Sequence, residues 1–146
     1  MLNRFKKIKW LAVLSFSVGS LLIINQAVAD VAIVVHPSNT SDFNKSTIKK
    51  LFLGKSKSFS NGRAALLLSS NATAPITKEF NKKVIGKSNS QVNAYWSKMI
   101  FTGKGTPPQQ LTSSTEIVSA ISVNPDAIGY MDASAVTSAV KVVATF

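Results

Sequence analysis

The chain has 146 residues, with 17 basic against 6 acidic side chains, a formal net charge of +11, one histidine and no cysteine. Disulfides and thiol chemistry are therefore excluded, and a single domain of this size must be held by packing. The positive balance favours anionic partners, whether small, lipid-borne or polymeric.

Met1–Lys9 carries Arg4, Lys6, Lys7 and Lys9 and no acid, and Trp10–Ile24 is almost wholly apolar. Asn25-Gln26-Ala27-Val28-Ala29 follows, ending in the small-x-small pattern that signal peptidase reads. Residues 1–29 are thus expected to be a secretory signal cleaved after Ala29, releasing residues 30–146 as one periplasmic domain. The apolar run is shorter than the roughly 20 residues of a membrane span, and no second run follows it. Removing the leader's four basic residues from the seventeen leaves thirteen against six acids, a net +7. The remaining lysines are scattered along the chain. They read as a solvated surface, and aromatic interleaving of the kind that stacks bases is thin, so no nucleic-acid partner is expected.

Val31–Val35 is a short β-branched run that predicts a buried strand. A polar turn, Pro37-Ser38-Asn39-Thr40, leads to Asn44 as N-cap of a helix reaching Leu53, with Gly54 closing it. Asn61-Gly62 marks a turn before a second buried strand over Ala64–Leu68. Ser69–Thr73 is another polar turn, and Pro75 sits in the first turn of a helix to about Ile85, where its missing N–H costs nothing. Ser88–Ile100 predicts a third helix with Val92, Tyr95, Trp96, Met99 and Ile100 as its apolar stripe. Gly103 ends it, and Gly105-Thr106-Pro107-Pro108 is a rigid loop. Ser113-Ser114-Thr115-Glu116 has capping-box spacing and opens a fourth helix, stopped by Asn124-Pro125. Ala127–Met131 and Val140–Phe146 are the third and fourth strands. Helices alternating with strands make the class α/β with a mostly parallel or mixed sheet.

Gly54-Lys55-Ser56 and Gly86-Lys87-Ser88 repeat the last letters of a phosphate-binding P-loop. That loop needs a glycine five residues earlier, and Lys49 and Asn81 stand there instead. Each Gly-Lys also follows a helical run, where the P-loop precedes one. Both glycines therefore read as helix stops.

The residues needed for catalysis are missing. His36 has no partner named by the sequence, and no G-x-S-x-G or metal-ligand spacing occurs. No enzyme, metal or cofactor is expected. In an open α/β sheet, ligands sit beyond the carboxyl ends of the strands. The two polar turns that follow strands supply the candidate ligand-binding residues: Ser70, Asn71 and Thr73, with Ser38 and Asn39 expected from the neighbouring strand end. The helix beginning near Ala74 would add free N–H groups for an oxyanion.

Val34-Val35-His36-Pro37-Ser38-Asn39, Ile48-Lys49-Lys50-Leu51-Phe52-Leu53-Gly54-Lys55, the helix entering Phe80, and Asn124-Pro125-Asp126-Ala127-Ile128-Gly129-Tyr130 occur in one order. Together they resemble the phosphate-binding family of periplasmic substrate-binding proteins of ABC transporters. The resemblance implies a single lobe of a type II periplasmic-binding-protein-like fold, a mixed sheet of about four to five strands flanked by helices. It implies phosphate or another small oxyanion as ligand and an ABC permease as partner. One departure stands out. The family's phosphate loop resembles R-x-x-S-G-T, and here Asn71 takes the arginine position and Ala74-Pro75-Ile76 the S-G-T. The alternative is a ligand-free interaction module that docks on a membrane sensor, a transporter or a surface polyanion.

Overall fold

A computed structural model describes residues 28–146. The expected signal peptide therefore lies almost entirely outside the described residues. Five strands form one mixed sheet in the order β3-β2-β4-β1-β5. They are β1 (Val31–Val35), β2 (Leu66–Ser70), β3 (Gln109–Leu111), β4 (Ala127–Asp132) and β5 (Lys141–Thr145). β2 runs parallel to both β3 and β4, whereas β1 runs antiparallel to β4 and to β5. β1 is thus the one reversed strand in the sheet.

Helices cover both faces, which is why β1 is a continuous apolar run with every residue buried. Alternate residues serve the two sides. Val31, Ile33, Val35, Ile128 and Tyr130 pack with Ile48, Leu51 and Phe52 of α1 (Lys45–Phe52). Phe80, from the end of α2 (Pro75–Phe80), and Val84 and Ile85 join the same cluster. Ala32, Val34, Leu68 and Met131 pack on the other side against Ile117 and Ile121 of α4 (Ser114–Val123). Gly129 lets α4 lie close: an added Cβ would stand 3.2 Å from both the Ile117 and Ile121 side chains.

Helix starts follow their capping residues. Asn44 and Ser88 form reciprocal capping boxes with Thr47 and Gln91, and Ser88 opens α3 (Asn89–Phe101). At α4 the box differs from expectation. Ser113 Oγ accepts from the Glu116 amide, but the Glu116 carboxylate accepts from Thr112 N and Oγ1 at 2.8 and 2.9 Å, one residue further back. Gly54 lies two residues past α1 with φ +66°, so it is a helix stop as expected. An added Cβ there would also meet the Trp96 ring at 3.1 Å.

Three other expectations change. β2 begins two residues later than Ala64 and is only partly buried, with Leu66 exposed, because the short edge strand β3 pairs with it only from Leu68 onward. β3 itself is unexpected: Gln109-Gln110-Leu111 has no alternation to betray a strand. On α3 only Trp96 of the expected stripe is buried, while Ile100 is exposed.

Gly54→Val is expected to lower stability by about 1 kcal/mol or more, read as a lower urea midpoint, and to leave no ATP affinity to lose. Hydrogen bonds from the Thr112 backbone and hydroxyl hold the Glu116 carboxyl below its ordinary range. Its contribution is therefore present above the unfolded-state pKa and disappears as pH falls through the lowered folded-state value. Glu116→Gln should make the urea midpoint less sensitive to pH between about 5 and 3 than in the wild type.

Candidate functional site

A cleft of about 280 Å³ opens at the carboxyl end of β2, between that strand, α2 and α3. Its floor is aromatic. Phe80 stacks on Tyr130 with ring centroids 3.9 Å apart and planes 5° from parallel, and Phe52 meets both edge-on. These rings come from α1, α2 and β4, so the floor forms only once the two helices are docked on the sheet.

The Tyr130 hydroxyl is the polar atom that this apolar floor has to satisfy. It lies 3.0 Å from Thr77 Oγ1, which in turn donates to the Asn71 carbonyl at 2.8 Å. With the Thr77 proton committed to that carbonyl, the phenol is the donor of the pair. Burial pushes the Tyr130 phenol up, partly offset by the Thr77 contact, so it stays protonated at physiological pH.

The walls are uncharged and mixed, with Val92, Trp96, Ile100, Pro107 and Pro108 as their apolar part. Ser69, Ser70, Asn93, Ser97 and Gln110 line the cleft with Asn81, and no charged side chain does so among the described residues. Asn81 begins a five-residue π-helical turn, Asn81–Ile85, that continues α2. Such turns are rare and frequent at functional sites. Asn81 Nδ2 donates to Asn89 Oδ1 at 2.8 Å, and Asn89 Nδ2 donates to the Ala72 carbonyl. That chain of bonds orients both amides. It leaves Asn81 Oδ1 as an acceptor with no partner among the described residues, on a side chain whose residue is only 5 % exposed. Ser70 Oγ is equally unengaged, on a residue 8 % exposed.

The five candidate residues do not come together. Because β1 runs against β2, the carboxyl ends of these two strands lie at opposite ends of the sheet. The expected neighbourhood of Ser38 and Asn39 with Ser70, Asn71 and Thr73 is thereby corrected. Ser38 Oγ bonds His36 Nδ1 at 2.7 Å, and buried Asn39 braces its own turn through the Ser41 amide and Lys141. Ser70 lines the cleft. Asn71 and Thr73 are exposed beside it and bond each other, with Asn71 Oδ1 accepting from both the amide and the hydroxyl of Thr73.

The expected row of free amides at the start of α2 is also reduced. Pro75 has none, the Ala74 amide donates to Asn71 O, and the Thr77 and Lys78 amides donate to Ala74 O. Ile76 keeps the one amide of that turn without such a bond.

Thr77, Asn81, Asn89 and Tyr130 escape sequence reasoning. Tyr130 carries the available signal, a hydroxyl at the end of an otherwise apolar buried strand, which requires a partner somewhere in the core. Thr77→Val should leave that phenol buried without an acceptor and cost about 1–3 kcal/mol, whereas Tyr130→Phe removes both the group and its need and should cost about 0.5–1.5 kcal/mol. Paired urea denaturation curves check the order.

No family model and no curated protein matches the chain. Solved structures do match. An ABC-type phosphate transport receptor from Vibrio cholerae aligns at 15 % identity and TM-score 0.60 over 80 % of this chain and 46 % of that one. A putative phosphate ABC transporter substrate-binding protein with bound phosphate, from Clostridium perfringens, aligns at 21 % identity and TM-score 0.60 over 80 % and 45 %. PstS from Borrelia burgdorferi aligns at 10 % identity and TM-score 0.58 over 78 % and 47 %. The likeness is one of fold, and the chain spans less than half the length of each neighbour. The fold class expected from the sequence, a single periplasmic-binding-protein-like α/β lobe, is the one observed.

Proposed function

We propose, from a fold shared with phosphate-transport receptors, that the chain is a periplasmic solute-binding-protein-like module that takes phosphate or another small oxyanion for an ABC transporter. The cleft carries this reading. It lies beyond the carboxyl ends of the parallel strands β2 and β4, where open α/β sheets take their ligands. It presents polar atoms on Ser70 and Asn81 that have no hydrogen-bond partner among the described residues and keep enough exposure to be open to a ligand. Ser70 is a direct contact in this reading, and Asn71 and Thr73 hold the turn that presents it. The reading assigns no reaction; among the described residues, no nucleophile paired with a base lines the cleft.

Charge sets the strength. An arginine fork would give charge-assisted bonds at about twice the neutral strength, and Asn71 stands at its expected position. With neutral groups alone, the dissociation constant for phosphate is expected on the order of 0.1–1 mM, or about 4–5.5 kcal/mol. Calorimetric titration at low and moderate salt checks it, and Ser70→Ala should weaken the binding with the circular dichroism spectrum unchanged. Sub-micromolar affinity would place a charged group at the ligand and overturn the neutral site.

A second reading has its own observation. Ile100 lines the cleft and Phe101 follows it, and they are 57 % and 92 % exposed. Apolar side chains beside the opening favour an interaction module that docks there on a transporter or a membrane sensor. Export is common to both readings. Intact mass of the protein recovered from the cell envelope should correspond to Asp30–Phe146, and a species retaining residues 1–29 would overturn cleavage after Ala29.

A further inference from the structure

Away from the cleft, the fold gathers lysines that are scattered in the sequence. Lys78, Lys82 and Lys87 line an open depression of about 590 Å³ at the start of α3, together with Gln91. Lys49 reaches the same turn from α1, where an added Cβ on Gly86 would stand 3.7 Å from its Nζ. None of these four ammonium groups has a carboxylate within 4.0 Å among the described residues. Lys78 and Lys82 stand four residues apart, a spacing at which like charges on a helix repel. From Pro75 to Lys104 the sequence sets Lys78, Lys82, Lys83, Lys87, Lys98 and Lys104 against one acid, Glu79.

The exposed face of α3 begins in this depression. Val92, Tyr95 and Trp96 pack inward. On the other side Gln91, Ala94, Lys98 and Phe101 follow one another at helical spacing, all of them exposed. At 1.5 Å per residue the stripe runs about 15 Å, from the lysines to Phe101. Phe101 ends the helix 92 % exposed.

An exposed ring and unpaired lysines on one face have to suit the same partner. A purely ionic polymer would answer the lysines and leave the ring uncovered. A protein interface takes its energy from anchors seated in pockets and favours the fixed fork of arginine. This face has no arginine, and its one ring stands clear of any pocket wall. Lysine is a point charge on a flexible stem, which suits headgroups that rearrange around it. An anionic lipid surface answers both features, with phosphates for the ammonium groups and the headgroup boundary for the ring.

We propose that the outer face of α3, from the lysine depression to Phe101, docks the protein on an anionic lipid surface, with Phe101 inserted at headgroup level and Lys78, Lys82, Lys87 and Lys98 over the phosphates. This goes beyond the solute-binding reading and does not depend on what the cleft takes. One ring alone inserts weakly, and lysines alone are screened by salt, so the docking is reversible and needs both. Val123 gives the contrast. It is 81 % exposed at the end of α4, but that helix carries Glu116 and no lysine, and it covers the other side of the sheet.

The test is cosedimentation of the protein recovered from the cell envelope with vesicles of phosphatidylcholine, alone or mixed with phosphatidylglycerol. Partition onto phosphatidylcholine alone should be about a hundredfold weaker or more. Raising the salt to about 1 M, where the Debye length falls to about 3 Å, should release the protein from the mixed vesicles. Lys82→Gln and Lys98→Gln should each weaken partition about fivefold, and Phe101→Ser about tenfold. Because the chain has no cysteine, Phe101→Cys and Val123→Cys can each carry one polarity-sensitive dye. The dye at position 101 should shift to the blue on the mixed vesicles, and the dye at 123 should not. Should a variant not fold, the lipid and salt dependence of the wild type still decides the matter. Equal partition onto both vesicles, or an equal shift at 123, overturns the proposal. Binding to single-stranded DNA or polyglutamate without binding to the mixed vesicles assigns the face to nucleic acid or to an acidic protein, and overturns it as well.

Discussion

The structure turns on the hydroxyl of Tyr130. Its ring is stacked on Phe80 and met edge-on by Phe52, so β4, α1 and α2 are joined through one aromatic contact set. Such pairs contribute about 0.5–1.5 kcal/mol each beyond the area they bury. The hydroxyl at the end of that ring cannot be left unpaired at this depth. Thr77 meets it, and Thr77 in turn reaches the Asn71 carbonyl at the end of the β2 turn. One requirement of buried polar chemistry thus sets where α2 begins relative to the sheet, and with it the position of the turn from Ser70 to Thr73.

The π-turn that follows has the next consequence. Phe80 must face the aromatic set, and Val84 and Ile85 must face the same core. The wider π repeat over Asn81–Ile85 accommodates both while turning Asn81 to the cleft. The Asn81 carbonyl then accepts from the amides of Gly86 and Lys87, which ends the helix and delivers the chain to Ser88 as the cap of α3. Asn89, the first residue of α3, returns to bond Asn81. The helix stop, the next cap and the Asn81 side chain at the cleft are consequently one local structure, spread over nine residues from Asn81 to Asn89.

Local chemistry was legible from the sequence, and relative direction was not. β1, the Asn44 cap, Pro75 at the first turn of α2, and Gly54 as a stop all follow from residues within a few positions of one another. The reversed course of β1 does not. Its five apolar residues are equally suited to a parallel or an antiparallel place between covered faces, so Ser38 and Asn39 were assigned to the wrong end of the sheet. β3 was invisible because it is three residues long and its pairing with β2 is made by backbone groups, which Gln109 and Gln110 supply as well as any other residue. At the cleft, Ser70 was legible as a polar residue of the turn after a strand, and the structure makes it the last residue of β2. Asn81 and Asn89 were not, since their significance depends on a hydrogen bond across eight positions and the turn of a π-helix.

The distribution of charge gives the cleft its character. The chain is strongly basic, yet no lysine among the described residues lines the cleft. At a Debye length of about 8 Å in physiological salt, lysines on the surrounding helices still raise the local concentration of anions near the opening. In the solute-binding reading they would contribute little to holding one inside, because exposed charges are well screened and no lysine among the described residues lines the cleft. Attraction and recognition are thereby separated. On that reading the surface would draw anions without discrimination, and the uncharged cleft would admit only those whose desolvation is small enough for hydroxyl and amide groups to offset. A solute-binding module built this way would exchange its ligand quickly, since the long-range field would speed arrival while weak inner contacts would set departure.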